Sequence, residues 1–219
     1  MIAVALETSG RPASIALAVD DQRFEEVLEG ERAHASDLLP ALARMLDRAG
    51  VGRDRIDHVF VGTGPGSYTG LRVGIATAMG LARGAGATAL GIPSGETRTF
   101  GAVEVGEEAT LLLDARQQEL YVARYERTSD GVEERLAPRV APAAELSELT
   151  PATGVVLGDE AIAKLLEADP SVRERVDTTS FPRAGALLEL GLKCRDRAGE
   201  PESLAPLYLR PFAAKPRRR

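Results

Sequence analysis

Two carboxylates that each follow an apolar strand are the residues of this sequence best placed to do chemistry. Glu7 follows the apolar run 2–6, and Asp114 follows the apolar run 110–113. If the two face each other across a cleft, they could hold a magnesium–nucleotide complex or act as general acid and base. The alternative is structural, because a carboxylate at the end of a strand can cap the turn that follows it. The sequence leaves both interpretations open.

A glycine-rich loop at 62–66 follows the strand predicted over 56–61. Its glycines reach backbone angles closed to other residues, and glycine before a helix N-terminus can bind an anion. A Walker A loop needs Lys and then Ser or Thr after its last glycine, whereas Leu71 follows Gly70 here. The loop is therefore not a Walker A motif, and a phosphate-binding role rests on the glycines alone.

Metal chemistry has few candidate ligands in this chain. The two histidines, His34 and His58, have no partner at helical spacing, and Cys194 is the single cysteine. A zinc or iron site needs three or more converging ligands. We expect no metal site.

Composition narrows the classes of protein further. The single cysteine excludes an internal disulfide, and no apolar run is long enough to span a membrane. Because the strand-like start has no basic signal region, we expect a cytoplasmic protein without membrane contacts. The net charge of −6 argues against RNA binding as a solitary activity. The exception is a basic tail that could touch nucleic acid, formed by Lys215, Arg217, Arg218 and Arg219.

Two helices in the first half carry more apolar surface than a surface helix needs. The first is predicted over 37–49, with Ser36 as a candidate cap, and the second over 70–84, with Ser67 or Thr69 as its cap. The second helix is apolar nearly all round. At four-residue spacing, Gly70, Gly74, Ala78 and Ala82 form a row of small residues that lets another backbone come close. We expect one side of this helix to cover a sheet and another to meet a second helix. The alternative is a helix buried inside a single domain.

The order of predicted elements repeats once along the chain. Three antiparallel strands open the sequence, and further strands are reached through helices; a second set of three strands begins near residue 110. Both halves start with strand, acid, turn and strand. This pattern favours an α/β fold with two lobes, each a mixed β-sheet flanked by helices, as in the duplicated RNase H-like or actin-like (ASKHA) architecture. We expect an N-terminal lobe over 1–105 and a smaller lobe over 106–219, whose tail from about 203 packs back on the first.

Five ordered blocks resemble one family over nearly the whole chain. They are A-L-E-T-S at 5–9, H-A-S-D-L-L-P at 34–40, G-T-G-P-G-S-Y-T-G-L-R-V-G-I at 62–75, D-A-R-Q-Q-E-L-Y at 114–121 and P-L-Y-L-R at 206–210. Together they look like the TsaB (YeaZ) family, bacterial subunits needed for threonylcarbamoylation of the tRNA adenosine next to the anticodon.

The resemblance implies a non-catalytic scaffold subunit that needs no cofactor. Family members form homodimers and also bind the catalytic subunit TsaD, to which the ATPase TsaE binds as well; contact with tRNA would be indirect. The catalytic paralogue carries an H-x-x-x-H metal pair after the strand equivalent to 88–92, and the matching positions here look like Ser94 and Arg98.

The resemblance also places two sets of site residues. The partner or dimer interface would use the first two helices, through Leu39, Leu42, Met45, Leu46, Gly70, Leu71, Gly74, Ile75, Ala78, Met79 and Ala82. A degenerate nucleotide site with weak ATP or ADP binding would comprise Glu7, Thr8, Ser9, Gly64, Gly66, Ser67, Asp114 and Arg116. Glu7 departs from the Asp usual in the family, which favours the degenerate interpretation. The alternative is an independent ATP-binding phosphotransferase or ATPase of the actin-like superfamily.

Overall fold

Ten strands in two five-stranded sheets organise the protein in the computed structural model, which describes residues 1–28, 37–162 and 170–209. The first sheet has the order β3-β2-β1-β4-β5, and its strands are β1 Ile2–Glu7, β2 Ala13–Val19, β3 Gln22–Leu28, β4 His58–Gly62 and β5 Thr88–Ile92. Strands β1 to β3 are antiparallel, whereas β4 and β5 run parallel to β1. The sheet is therefore mixed.

Both faces of the first sheet are covered, because apolar side chains alternate between them along each strand. Val4 and Leu6 point to the face covered by α1 (Leu38–Ala49) and α2 (Tyr68–Ala85). Ala3 and Ala5 point to the other face, where the helix we number α6 (Ala184–Lys193) packs. A helix from the end of the chain thus completes the core of the first sheet.

The second sheet repeats the strand order of the first. It reads β8-β7-β6-β9-β10, with β6 Glu108–Arg116, β7 Glu119–Arg127, β8 Val132–Pro142, β9 Val155–Gly158 and β10 Val176–Asp177. The short helices α4 (Leu146–Leu149) and α5 (Pro170–Arg173) contribute apolar side chains to one of its cores. The repetition confirms the predicted fold class of two mixed sheets flanked by helices.

One further helix, α3 (Ser94–Ala102), lies in the chain between the two sheets. The sequence analysis did not predict it, because S-G-E-T-R-T-F-G-A contains two glycines, two threonines and no apolar periodicity. The helix forms where Pro93 at its N-cap position ends β5, and its buried side is made by Gly95, Thr97, Arg98 and Thr99. Tertiary contacts therefore overrode the weak local propensity.

The chain after α6 returns to the first sheet. Ala89 and Gly199 exchange two backbone hydrogen bonds of 2.9 Å, and Leu204 belongs to the core under α1 and α2. We call residues 199–208 the closing segment. The division of the chain at residue 105 stays a prediction.

Helix boundaries agree with the predicted spans to within two residues for α1 and α2. Ser67, rather than Thr69, caps α2, since its hydroxyl accepts a hydrogen bond of 3.2 Å from the Gly70 N–H. Helix α6 ends at Lys193 and is followed by a separate turn of 3-10 helix, Arg195–Arg197. The predicted cap Ser36, His34 and the basic tail lie outside the described residues.

Candidate functional site

Glu7, at the end of β1, is enclosed by the loops around it. Its side chain is 1% exposed, and Oε1 accepts hydrogen bonds from the Ser9 N–H at 2.8 Å and from the Ser94 hydroxyl at 3.3 Å. Burial raises the pKa of the Glu7 carboxyl, although these hydrogen bonds oppose the rise. Oε2 has no hydrogen-bond partner among the described residues.

The glycine-rich loop closes directly over this carboxyl. A Cβ on Gly62 would overlap the Glu7 carboxyl, and one on Gly66 would overlap the Ser9 carbonyl. The Gly64 N–H donates to the Ser94 hydroxyl at 3.1 Å. Gly62 and Gly66 therefore lie at the positions where the loop packs too closely against the end of β1 to leave room for a side chain.

The structure places the predicted nucleotide residues in two groups. Glu7, Thr8, Ser9, Gly64, Gly66 and Ser67 form one connected cluster around the end of β1. Asp114 instead accepts a hydrogen bond of 2.7 Å from the Arg116 N–H and forms an ion pair of 3.1 Å with the Arg116 side chain, within its own hairpin. The structural interpretation therefore fits both acids: Glu7 accepts a hydrogen bond from the turn after β1, and Asp114, which lies inside β6, accepts one from the last residue of that strand.

The predicted row of small residues on α2 packs against the chain itself. Gly70, Gly74, Ala78 and Ala82 are all buried. A Cβ on Gly74 would overlap the Thr8 side chain, and the Thr8 hydroxyl donates to the Gly70 carbonyl at 2.8 Å. The expectation that this row faces another subunit is corrected: its small size lets α2 approach the end of β1.

Most of the other predicted interface residues are buried in the same core. Leu42, Met45 and Leu46 on α1 pack under the helix together with Ile75 of α2, and Leu71 is buried as well. Leu39 is the exception at 52% exposure, and Met79 is half-buried. The predicted apolar arc of α1 is present, but it packs against the first sheet.

A different side of α2 is open, and a groove of about 360 Å³ runs along it. We call it the α2 groove; it is lined by Tyr68, Arg72, Ile75, Ala76, Met79, Pro206 and Tyr208. The Tyr68 and Tyr208 rings stack with centroids 5.4 Å apart, and Arg72 donates to the Tyr68 hydroxyl at 2.7 Å. Farther along this side, a Cβ at Gly80 or Gly84 would meet no atom within 4 Å.

The sequence analysis missed this surface and singled out only Ile75 and Met79 from it. Two signals were available in the sequence: a second row of small residues at Ala76, Gly80 and Gly84, and two of only four tyrosines at 68 and 208. Neither signal shows which side of the helix faces outward.

Ser94 and Arg98 occupy successive turns at the start of α3 and bond to different sheets. Ser94 bonds to Glu7 and Gly64 beside the first sheet. The buried Arg98 guanidinium donates to the Gly158 carbonyl at 2.7 Å and to the Asp177 carbonyl at 3.2 Å, both beside the second. Burial lowers the pKa of Arg98 to about 10, so it stays charged at neutral pH. Through these hydrogen bonds, Ser94 and Arg98 connect the two sheets.

Glu96, which lies between these two residues, is the acid on α3, and its pKa is shifted. Burial raises its pKa to about 7, opposed by the charge of Arg197 and assisted by that of Glu134. Within residues 1–28, 37–162 and 170–209, no three His, Cys, Asp or Glu side chains form a group that could hold a metal ion. No helix in the same ranges is long and apolar enough to cross a membrane.

Two mixed sheets of identical strand order, each flanked by helices and each with an acid at or near the end of its central strand, define a protein of the actin-like (ASKHA) fold. The profile of the tRNA N6-adenosine threonylcarbamoyltransferase family (TsaD) matches residues 28–191. YeaZ from Pseudomonas aeruginosa superposes with a TM-score of 0.81 at 27% identity, covering 95% of this chain and 99% of that one. The chain belongs to the tRNA N6-adenosine threonylcarbamoyltransferase family, among its TsaB (YeaZ) members.

Relatives in sequence agree with this assignment. The tRNA threonylcarbamoyladenosine biosynthesis protein TsaB of Escherichia coli is 33% identical over 131 residues, which are 59% of this chain and 57% of that protein. An uncharacterized protein of Mycobacterium tuberculosis is 34% identical over 192 residues, 88% of this chain and 82% of its own length. The chain spans about half the length of the curated TsaB relatives it matches.

Proposed function

We propose that this chain is a non-catalytic subunit in the formation of threonylcarbamoyladenosine in tRNA. Its role would be to bind and activate a TsaD-like catalytic subunit, which transfers the threonylcarbamoyl group to N6 of the adenosine next to the anticodon. A TsaE-like ATPase would then join through the complex. Membership in the family and the name of the TsaB relatives support participation in this modification.

One observation carries the non-catalytic part of the proposal. At the two positions that resemble the metal-binding pair of the catalytic paralogue, Ser94 offers a hydroxyl and Arg98 a cation. The Arg98 guanidinium is turned toward carbonyl groups of the second sheet, so it cannot serve as a metal ligand. The same two positions support a structural role for α3.

The open side of α2 is the best-supported docking surface. Tyr68 is 39% exposed, and the neighbouring Arg72 and Ala76 are exposed as well. Aromatic and arginine side chains are enriched at protein interfaces, and small residues at Ala76 and Gly80 let a partner helix approach closely. We propose that Leu39, Met79 and the α2 groove contact the catalytic subunit, and that a homodimer formed in its absence uses the same surface.

The test is formation of the heterodimer by an Ala76→Arg variant. This substitution adds a charged side chain at an exposed position of α2, so the monomer should stay folded while binding to the TsaD-like protein of the same organism is lost. Light scattering of the mixed, purified proteins measures the mass of the complex. Ala102→Arg, at an exposed position of α3, is the matched control and should bind normally. An Ala76→Arg chain that still forms a full-mass complex would refute this docking surface.

Catalysis is tested separately by the reaction itself. The isolated chain should form no threonylcarbamoyladenosine, and adding the TsaD-like protein with its substrates should restore the reaction. Weak ATP or ADP binding by this chain stays a prediction, to be measured by calorimetry with Asp114→Ala as the comparison variant. ATP hydrolysis by the chain alone, lost in that variant, would favour the alternative of an independent ATPase.

A contact between tRNA and the basic tail also stays a prediction, since those residues lie outside the described ranges. Deletion of residues 215–219 tests it. If the tail contacts phosphates, the deletion should weaken tRNA binding by the assembled complex and flatten its salt dependence.

A further inference from the structure

The outer edge of β5 is only partly paired. In its parallel pairing with β4, alternate residues bond inward: the Thr63 N–H donates to the Ile92 carbonyl at 2.9 Å. Ala89 and Gly91 therefore turn their N–H and C=O groups outward. Gly199 of the closing segment bonds both groups of Ala89. Within the described ranges, no residue bonds the outward groups of Gly91.

The closing segment then crosses above this edge and encloses a groove. The Leu207 N–H donates to the Thr63 carbonyl at 2.8 Å, which anchors the segment at the end of β4. Between the segment and β5 lies a space of about 440 Å³, which we call the β5 groove. Its walls include Leu90 and Pro93 on one side and Leu204 and Pro206 on the other. The volume lies within the range of small-molecule sites, about 300–1,000 Å³.

One cation lies among these apolar walls. Arg197 lines the β5 groove from the 3-10 turn after α6, and its side chain is exposed. Its guanidinium has no hydrogen bond or ion pair with any residue in the described part of the chain. The acid whose charge acts on it is Glu96, which is partly buried on α3. The groove thus combines apolar walls, an unpaired backbone N–H and an unpaired guanidinium.

We propose that the β5 groove binds a small carboxylic acid with an apolar body. The guanidinium of Arg197 would bind the carboxylate, the apolar body would lie between Leu90 and Leu204, and the Gly91 N–H would donate to a second oxygen of the ligand. A charge-assisted, bidentate arginine–carboxylate pair gives such a site its selectivity for acids. An added peptide strand fits less well, because only Gly91 is free between the Gly199 contact and Pro93, which has no N–H.

The first experiment uses N-acetyl-L-leucine as the probe and the full ¹⁵N-labelled chain. Titration should shift the amide signals of Gly91, Leu204, Ala205 and Leu207, with a dissociation constant on the order of 1 mM for a ligand of this size. N-acetyl-L-leucinamide, which has the same body without the charge, should bind about tenfold more weakly. Equal binding of the two probes, or no shift at these amides, would overturn the proposal.

Three variants locate the interaction. Arg197→Gln should weaken binding of N-acetyl-L-leucine about tenfold, whereas Arg195→Gln, in the same turn but outside the groove, should not. Ala205→Trp, at an exposed position of the groove lining, should block the probe without disturbing the core. Glu96→Gln removes the acid that competes for Arg197 and should strengthen binding. Unchanged binding in Arg197→Gln would assign the probe to another site and refute the proposed one. Heterodimer formation tests the α2 surface, so its outcome does not depend on the result for the β5 groove.

Discussion

Glu7 and Asp114 occupy the same position in two sheets of identical strand order, yet their environments are opposite. Glu7 is 1% exposed beneath the glycine-rich loop, whereas the Asp114 side chain is 14% exposed in a hairpin whose turn passes through Arg116. The difference arises because β4 of the first sheet leads into a loop and the long helix α2, which fold back over the end of β1. In the second sheet, the described residues between β9 and β10 form a 3-10 turn, Glu160–Ile162, and the four-residue helix α5.

The two sheets also differ in how their faces are covered by helices, and again the first sheet is the more enclosed. The first sheet is covered by α1 and α2 on one side and by α6 on the other. Helix α6 follows the second sheet in the chain, so the second half contributes the longest of its described helices to the core of the first sheet. A duplicated topology has thus produced one enclosed sheet, which presents α2 to solvent, and one sheet held to it through α3.

The largest expected effect concerns the close approach of α2 to β1. Gly74→Val should lower the free energy of unfolding by about 3 kcal/mol, because the new side chain overlaps Thr8. Urea unfolding measures the change. Gly80→Val is the matched control on the open side of the same helix, where a Cβ meets no atom within 4 Å, and should leave stability nearly unchanged. Equal losses in the two variants would refute the assignment of the two sides.

The connection between the sheets gives the next largest effect. Arg98→Met leaves the Gly158 and Asp177 carbonyls without their charged donor and should cost about 2 kcal/mol. Arg116→Met, which removes an exposed ion pair, should cost less than about 1 kcal/mol. Chemical unfolding of both variants provides the comparison. A larger loss in Arg116→Met would show that the hairpin, and not α3, holds the second sheet in place.

A smaller effect is expected in the pH dependence of stability. Burial raises the pKa of Glu96 from its ordinary value of 4.5 to about 7 in the folded chain, so the folded state binds more protons between these values. Stability should therefore fall as pH rises from 4.5 to 7, by about 1 to 3 kcal/mol, and Glu96→Gln should remove this contribution. Thermal unfolding at several pH values measures the slope. The exposed Glu148→Gln serves as control, and an unchanged slope in Glu96→Gln would contradict the expectation.

The smallest effect compares the two acids directly. Burial raises the pKa of Glu7, so its ionised form is disfavoured in the folded state, and Glu7→Gln should raise stability at pH 8. Asp114→Asn should instead lower stability slightly, since it weakens the ion pair with the exposed Arg116 side chain. Opposite signs in unfolding experiments at this pH would confirm the difference in environment. Changes of the same sign would contradict it.

Much of the fold could be predicted because its signals are local. The apolar strands, the turns after Glu7 and Asp114, and the Ser67 cap before α2 each follow from a few neighbouring residues. The order of these elements was enough to predict the repeated architecture. The site was harder to predict from the sequence, since the partners of Ser94 and Arg98 are up to 87 residues away in sequence.

Helix α2 shows a feature that the sequence alone did not determine, namely which side of the helix is buried. Its composition determined that small residues would let something approach closely, and it contains two such rows, one through Gly70 and Gly74 and one through Ala76 and Gly80. Only the tertiary structure decided between them, because the Thr8 side chain at the end of β1 packs against the first row and leaves the second open. The choice depends on a contact between residues 62 positions apart, which no local pattern records.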